Sequence, residues 1–218
     1  MKKKNTHHLI QIIIFFLIIT SCKNKSNRVI ISSSPLIYYT KDKDQLDFYH
    51  EKFDNLVDSL NFFNNEGIRL AKDFKIDKSR EAFLKGLNKN STNVIILNNL
   101  GNLERDAKNF QKAIKYYQKS FNESDSLYFV AKLNLARTLS IIGKDIESEK
   151  GFYYIIDNSK LNFIKGLAYY LLTKNYLRYG YIDKGNNTFK KAKELLKENP
   201  DFNNDLIKLQ NKLTNYYN

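Results

Sequence analysis

One thiol, Cys22, and three imidazoles, His7, His8 and His50, are all that this 218-residue chain offers in thiolate and imidazole chemistry. A disulfide needs two cysteines, and a structural zinc site needs about four Cys or His ligands. His7 and His8 fall in a segment that reads as cleavable, which leaves Cys22 and His50. One thiol and one imidazole build no disulfide framework, no Cys/His zinc cluster and no Cys–His nucleophile pair. Carboxylates and lysines are plentiful, but no Gly-rich phosphate loop, metal-ligand spacing or nucleophile elbow accompanies them. The chemistry expected here is therefore non-covalent binding, with no catalytic residue, no metal and no bound cofactor.

The chain carries 36 Lys and Arg against 23 Asp and Glu, a formal charge of +13, and stays basic once Lys2, Lys3 and Lys4 are subtracted. Charge of one sign attracts nucleic acid, anionic lipid or acidic polymer at long range. Lysine outnumbers arginine by 30 to 6, however, and lysines spread over solvated helix faces need no ligand to explain them. The length suits one domain, or one short solenoid with an arm, that buries a core without disulfide staples.

Residues 1–22 read MKKKNTHHLIQIIIFFLIITSC, a cationic start followed by an apolar stretch over 9–19 that only Gln11 interrupts. This is the layout of a secretory leader. As a helix the apolar stretch rises about 16 Å against a hydrocarbon core of about 30 Å, too short to span comfortably. Ile19, Thr20, Ser21 and Cys22 resemble the bacterial lipobox position by position. The resemblance implies that 1–21 is a signal peptide, that the Cys22 thiol takes a diacylglycerol, and that the new amino terminus is acylated too. Several acyl chains hold a protein on a bilayer without a spanning helix. Lys23 stands where an Asp would resemble an inner-membrane retention signal, which favours the outer membrane, on its periplasmic or its surface side. Such an address argues against nucleic acid as a partner. Residues 22–44, with a Ser run and Pro35, read as a lipidated terminus and tether. Apolar patches at 29–31 and 36–39 either pack on the helical array downstream or touch the membrane.

From Leu60 onward the apolar spacing is helical and the punctuation is Gly, Asn and Asp, which predicts an all-α array. Small residues recur at Gly67, Gly101, Ala136 and Thr173, at steps of 34, 35 and 37. Unit by unit, Gly67 goes with Ser79, Phe83 and Gly86, and Leu100 and Gly101 go with Ala113, Tyr117 and Ser120. Ala136 goes with Ser148 and Phe152, and Leu172 and Tyr176 go with Gly185, Phe189 and Ala192. Period and residue types together resemble the tetratricopeptide repeat. The resemblance implies a right-handed superhelical solenoid of about four helical hairpins, at 60–93, 94–128, 129–165 and 166–199. Glu66, Glu104, Lys132 and Thr173 depart from the pattern, the first three standing where apolar or aromatic residues are usual.

Solenoids cover their ends with atypical elements. Asn199, Pro200 and Asp201 read as a helix start, and Phe202, Leu206, Leu209, Leu213 and Tyr216 follow at helical spacing, so 200–218 is expected to cap the carboxyl end. Leu46, Tyr49, Phe53, Leu56 and Leu60 form a similar stripe, making 45–59 a capping helix or an extension of the first repeat helix.

In tetratricopeptide arrays the first helices line a concave groove, and the resemblance implies that partner peptides lie there. The corresponding positions are Asn61, Asn64, Asn98, Asn102, Arg105, Asn134, Arg137, Tyr170, Lys174 and Arg178. Asparagine clamps an extended backbone through donor and acceptor together, and Arg and Lys bond carboxylates, so the groove suits a peptide with acidic side chains or a free carboxyl terminus. The expected role is a membrane-anchored scaffold for envelope proteins, similar in layout to tetratricopeptide lipoproteins that support outer-membrane protein or pilus secretin assembly. The alternative is a glycan- or cell-wall-binding lipoprotein using the basic surface and the Tyr38-Tyr39, Tyr116-Tyr117, Tyr153-Tyr154 and Tyr169-Tyr170 pairs. Self-pairing of the array is a third.

Overall fold

The computed structural model describes residues 61–197 and 199–216, except the side chains of Asn61, Pro200 and Asp201. Cys22, the leader, the tether and the apolar stripe at 45–59 lie outside the described residues. Within them the chain is all-α: α1 (Asn61–Lys72), α2 (Ile76–Lys89), α3 (Val94–Asp106), α4 (Phe110–Glu123), α5 (Phe129–Ile141), α6 (Asp145–Asn158), α7 (Asn162–Arg178), α8 (Ile182–Leu196) and α9 (Pro200–Thr214). Successive helices pack as hairpins, α1 on α2, α3 on α4, α5 on α6 and α7 on α8, and each second helix packs on the next first helix. First helices also touch one another, α1 with α3, α3 with α5 and α5 with α7, so they form one layer of a solenoid. The fourth hairpin begins at Asn162, ahead of 166, because α7 runs to 17 residues.

Small residues set how closely the helices of a hairpin approach. A Cβ added to Gly67 would lie 2.5 Å from the Phe83 ring, and one added to Gly101 would lie 2.5 Å from the Tyr117 ring. Both rings are fully buried, so in these two hairpins the aromatic of the second helix lies across the bare backbone of the first. Ser79 Oγ donates to the Gly67 carbonyl at 2.7 Å and Ser120 Oγ to the Val94 carbonyl at 2.7 Å, which satisfies hydroxyls that close packing has taken from water.

All four hairpins turn in the same way. Phe74, Lys108, Gly143 and Gly180 adopt left-handed backbone, with φ of 60°, 63°, 77° and 74°. The next residue then donates its N–H five residues back, Lys75 to Leu70, Asn109 to Glu104, Lys144 to Leu139 and Tyr181 to Tyr176, at 2.7–2.9 Å. This is the Schellman closure of a helix carboxyl end, which glycine adopts without steric cost and other residues do not. The turns recur at the same 34, 35 and 37 steps as the small residues, so one register governs both. Lys108→Gly is therefore expected to raise stability by about 1 kcal/mol, and Gly143→Ala to lower it by a similar amount. Urea midpoints moving in the same direction for both would contradict this account of the turns.

At the carboxyl end α9 packs on α8 and buries Leu206, Leu209 and Leu213. Phe202 sets its ring edge-on to Phe163 and Tyr170, at centroid distances of 5.8 and 6.2 Å. Tyr216 stays half exposed.

Candidate functional site

The first-helix layer carries the asparagines and cations picked out above, and packing divides them into two groups. Asn64, Asn98, Asn102 and Asn134 are buried. Asn134 Nδ2 donates to Asn98 Oδ1 at 3.0 Å, and Asn99 Nδ2 donates to Asn64 Oδ1 at 2.8 Å, so neighbouring side chains of α3 reach opposite neighbours in the layer. Asn102 Oδ1 accepts from Tyr117 Oη at 2.8 Å and from Arg105 Nη1 at 3.2 Å. Further along, Ser140 Oγ donates to Asn175 Oδ1 at 2.7 Å, and Asn175 Nδ2 to Ser148 Oγ at 3.3 Å. Asn102 bonds within its own hairpin, and the other amides tie repeat to repeat. The side chain of Asn61 lies outside the described residues.

Four cations make up the second group. Arg105 is buried, and its Nε and Nη2 donate to Asp106 Oδ1 at 3.1 and 3.0 Å, which makes it part of the frame. Arg178 is exposed and donates Nη1 to the Ser140 carbonyl at 3.0 Å, holding the end of α7 to the end of α5. Arg137, half-buried on α5, makes no hydrogen bond or ion pair among the described residues. Burial, and after it the Arg105 cation, pushes the Arg137 guanidinium below its ordinary value. Lys174 is exposed on α7 with its ammonium 5.4 Å from the centre of the Tyr170 ring. Burial and then Arg137 push Lys174 down, opposed by Asp205 and reinforced by Arg178 and Lys212. Tyr170 is pushed up to about 12, chiefly by burial and then by Asp205.

Arg137 thus disfavours the charge on Lys174, while its own charge is disfavoured by burial and Arg105 and favoured by Tyr117, Asp106 and Tyr170. A carboxylate or phosphate is the chemical class such a pair recruits. Among the described residues no group of three or more His, Cys, Asp or Glu could hold a metal ion, and no helix is long and apolar enough to cross a membrane.

No protein-family model matches the chain, and a search of curated proteins finds no match. The reading of the face therefore rests on its own residues.

Sequence reasoning missed the pairing that holds the departures in place. Glu104 is 1% exposed and accepts from Arg80 Nε at 2.5 Å and from Asn109 Nδ2 at 2.8 Å, linking α2, α3 and the turn before α4. Lys132 sets its ammonium over the Phe121 and Tyr154 rings, 5.2 and 4.8 Å from their centres, so it fills an aromatic gap with its stem. Both polar residues stand where the repeat pattern has bulky apolar ones, and that mismatch was the available signal. Lys212 of α9 also belongs to the electrostatic surroundings of Lys174, which links the cap to the face.

Proposed function

We propose that this chain is an envelope lipoprotein, anchored through Cys22, whose tetratricopeptide-type hairpins hold acidic segments of partner proteins against Arg137 and Lys174. Four hairpins in one register of 34, 35 and 37 steps support the family reading, and Ile19, Thr20, Ser21 and Cys22 support the anchor. The observation that carries the partner chemistry is Arg137, half-buried beside like charge and without a hydrogen-bonding or ion-pairing partner among the described residues. A cation in that position lowers its free energy when an anion arrives. Asparagines that are buried and bonded to one another supply rigidity to the face, and Arg137 and Lys174 supply recognition.

The test is cross-linking in intact cells, comparing the native chain with one carrying Arg137→Ala and Lys174→Ala. Neither side chain makes a hydrogen bond or ion pair among the described residues, so the fold is expected to survive. Each lost charge-assisted contact weakens binding about tenfold or more. Discrete proteins captured by the native chain should disappear from the double variant. Unchanged capture, or recovery of polysaccharide alone, would sink the proposal.

A further inference from the structure

The hairpin turns of all four units stand on one edge of the array, because every hairpin runs in the same sense and first helices neighbour first helices. At that edge Phe74 combines two costs. It is 88% exposed, and it holds left-handed backbone with φ 60° at the position where the third and fourth hairpins place Gly143 and Gly180. Glycine or asparagine would remove both costs, so a large apolar side chain kept there points to a use outside the folded array.

Phe74 is not alone on this edge. Ile146, at the start of α6, is 68% exposed, and Tyr181, in the last hairpin turn, is 57% exposed. Between these apolar tips stand Lys72, Lys108 and Lys144, all exposed and without an ion pair among the described residues. The carboxylates of the first two hairpin turns are already engaged: Asp73 faces Arg69 and Lys75, Asp77 pairs with Arg80, and Asp106 with Arg105. Lys72 and Lys108 therefore leave the first two turns net positive beside Phe74, whereas at the third turn Asp145 and Glu147 flank Ile146 and offset Lys144. A large apolar side chain such as Phe74 beside unpaired lysines matches an anionic bilayer surface, where the apolar group enters the headgroup boundary and the ammonium groups meet lipid phosphates. An acidic protein surface would satisfy the lysines and leave Phe74 in water.

We infer that the hairpin-turn edge of the array rests on an anionic lipid surface, with Phe74 inserted among the headgroups. The inference needs neither the partner chemistry proposed for Arg137 and Lys174 nor acylation of Cys22. It also fixes an orientation, because the array stands on its turn edge with the first-helix face turned sideways, open along the membrane.

The chain contains no tryptophan, so a single introduced one reports its own surroundings. Phe74→Trp places the probe at the edge, and Leu84→Trp places it at an exposed site within α2 of the same hairpin. Each full chain is mixed with vesicles of phosphatidylglycerol and phosphatidylethanolamine bearing brominated acyl chains. The expected result is a blue shift and bromine quenching for F74W, with L84W emitting as in water. Adding Lys72→Glu, Lys108→Glu and Lys144→Glu to F74W should abolish the quenching. Attachment through the amino terminus alone would leave both probes in water. That outcome, equal quenching of the two, or quenching that survives the three charge reversals, would overturn the inference.

Discussion

Replacing Tyr117 by alanine should cost about 4 kcal/mol of stability, the range found when a large buried aromatic is truncated. Tyr117 is fully buried on α4, with its ring against the bare backbone of Gly101 and its hydroxyl donating to Asn102 at 2.8 Å. Truncation removes the ring contacts, and Gly101 has no side chain to refill the space. Tyr117→Phe keeps the ring and loses one neutral hydrogen bond, for about 1 kcal/mol. Asn102 Oδ1 retains Arg105 as a donor in that variant, so no acceptor is stranded. Because a repeat contacts only its neighbours, the damage should stay local. Hydrogen exchange is expected to quicken across α3 and α4 while α7 and α8 keep their protection. A loss below about 1.5 kcal/mol for Y117A would mean that the array collapses into the space, against the close packing argued here.

The second large effect belongs to Glu104. Burial raises its carboxyl, and the hydrogen bonds from Arg80 and Asn109 overcome that burial, so it titrates below the usual carboxylate range. Its folded value being lowered, the stability it contributes is complete above the ordinary carboxylate range. That contribution is lost as pH falls through the folded value. Glu104→Ala should cost about 2–3 kcal/mol, the low end for breaking a buried pair, because Arg80 is a quarter exposed and can swing into water. Glu104→Gln keeps the shape and an acceptor while removing the charge. The gap between the native and E104Q chains should be full at neutral pH and close as the medium is acidified below the carboxylate range. A gap that stays constant with pH would show that charge at this position contributes nothing.

Both positions bear on the binding proposed for this face. Tyr117 and Asn102 brace the stretch of α3 next to Arg137 of α5, and Glu104 sets α3 against α2. Loss of either should loosen the face that carries Arg137 and Lys174. Destabilised variants are therefore poor probes of recognition, whereas the two-cation variant tests it directly.

Much of the architecture was legible in the residues, and the reason is range. A hairpin is decided by contacts within some forty residues, so the pairing of Gly67 with Phe83 or of Gly101 with Tyr117 leaves its trace in local spacing. The step of 34, 35 and 37 needs only helical periodicity and the demand that small face large. The start of α9 at Pro200 is local too, because a proline that lacks an N–H fits a first turn.

The first-helix side chains obey a different rule. Asn98, Asn102 and Asn134 look like solvent-facing amides along the sequence, yet each is buried. Their partners lie a full repeat away, as with Asn98 and Asn134, or on the facing helix, as with Asn102 and Tyr117. Arg105 and Arg137 both lie on first helices among the cations picked out by the pattern, but only the first is hydrogen-bonded to a carboxylate among the described residues. Likewise the register aligns Phe74 with Gly143 and Gly180, but only the structure shows that the three share left-handed backbone and that Phe74 is exposed. By itself the sequence determined the helices, their pairing and their register, since these follow from short-range packing of small against large. Tertiary structure alone decided which polar groups hold the repeats together and which do not, since one repeat stacking on the next sets the distance and burial of the amides and cations between them.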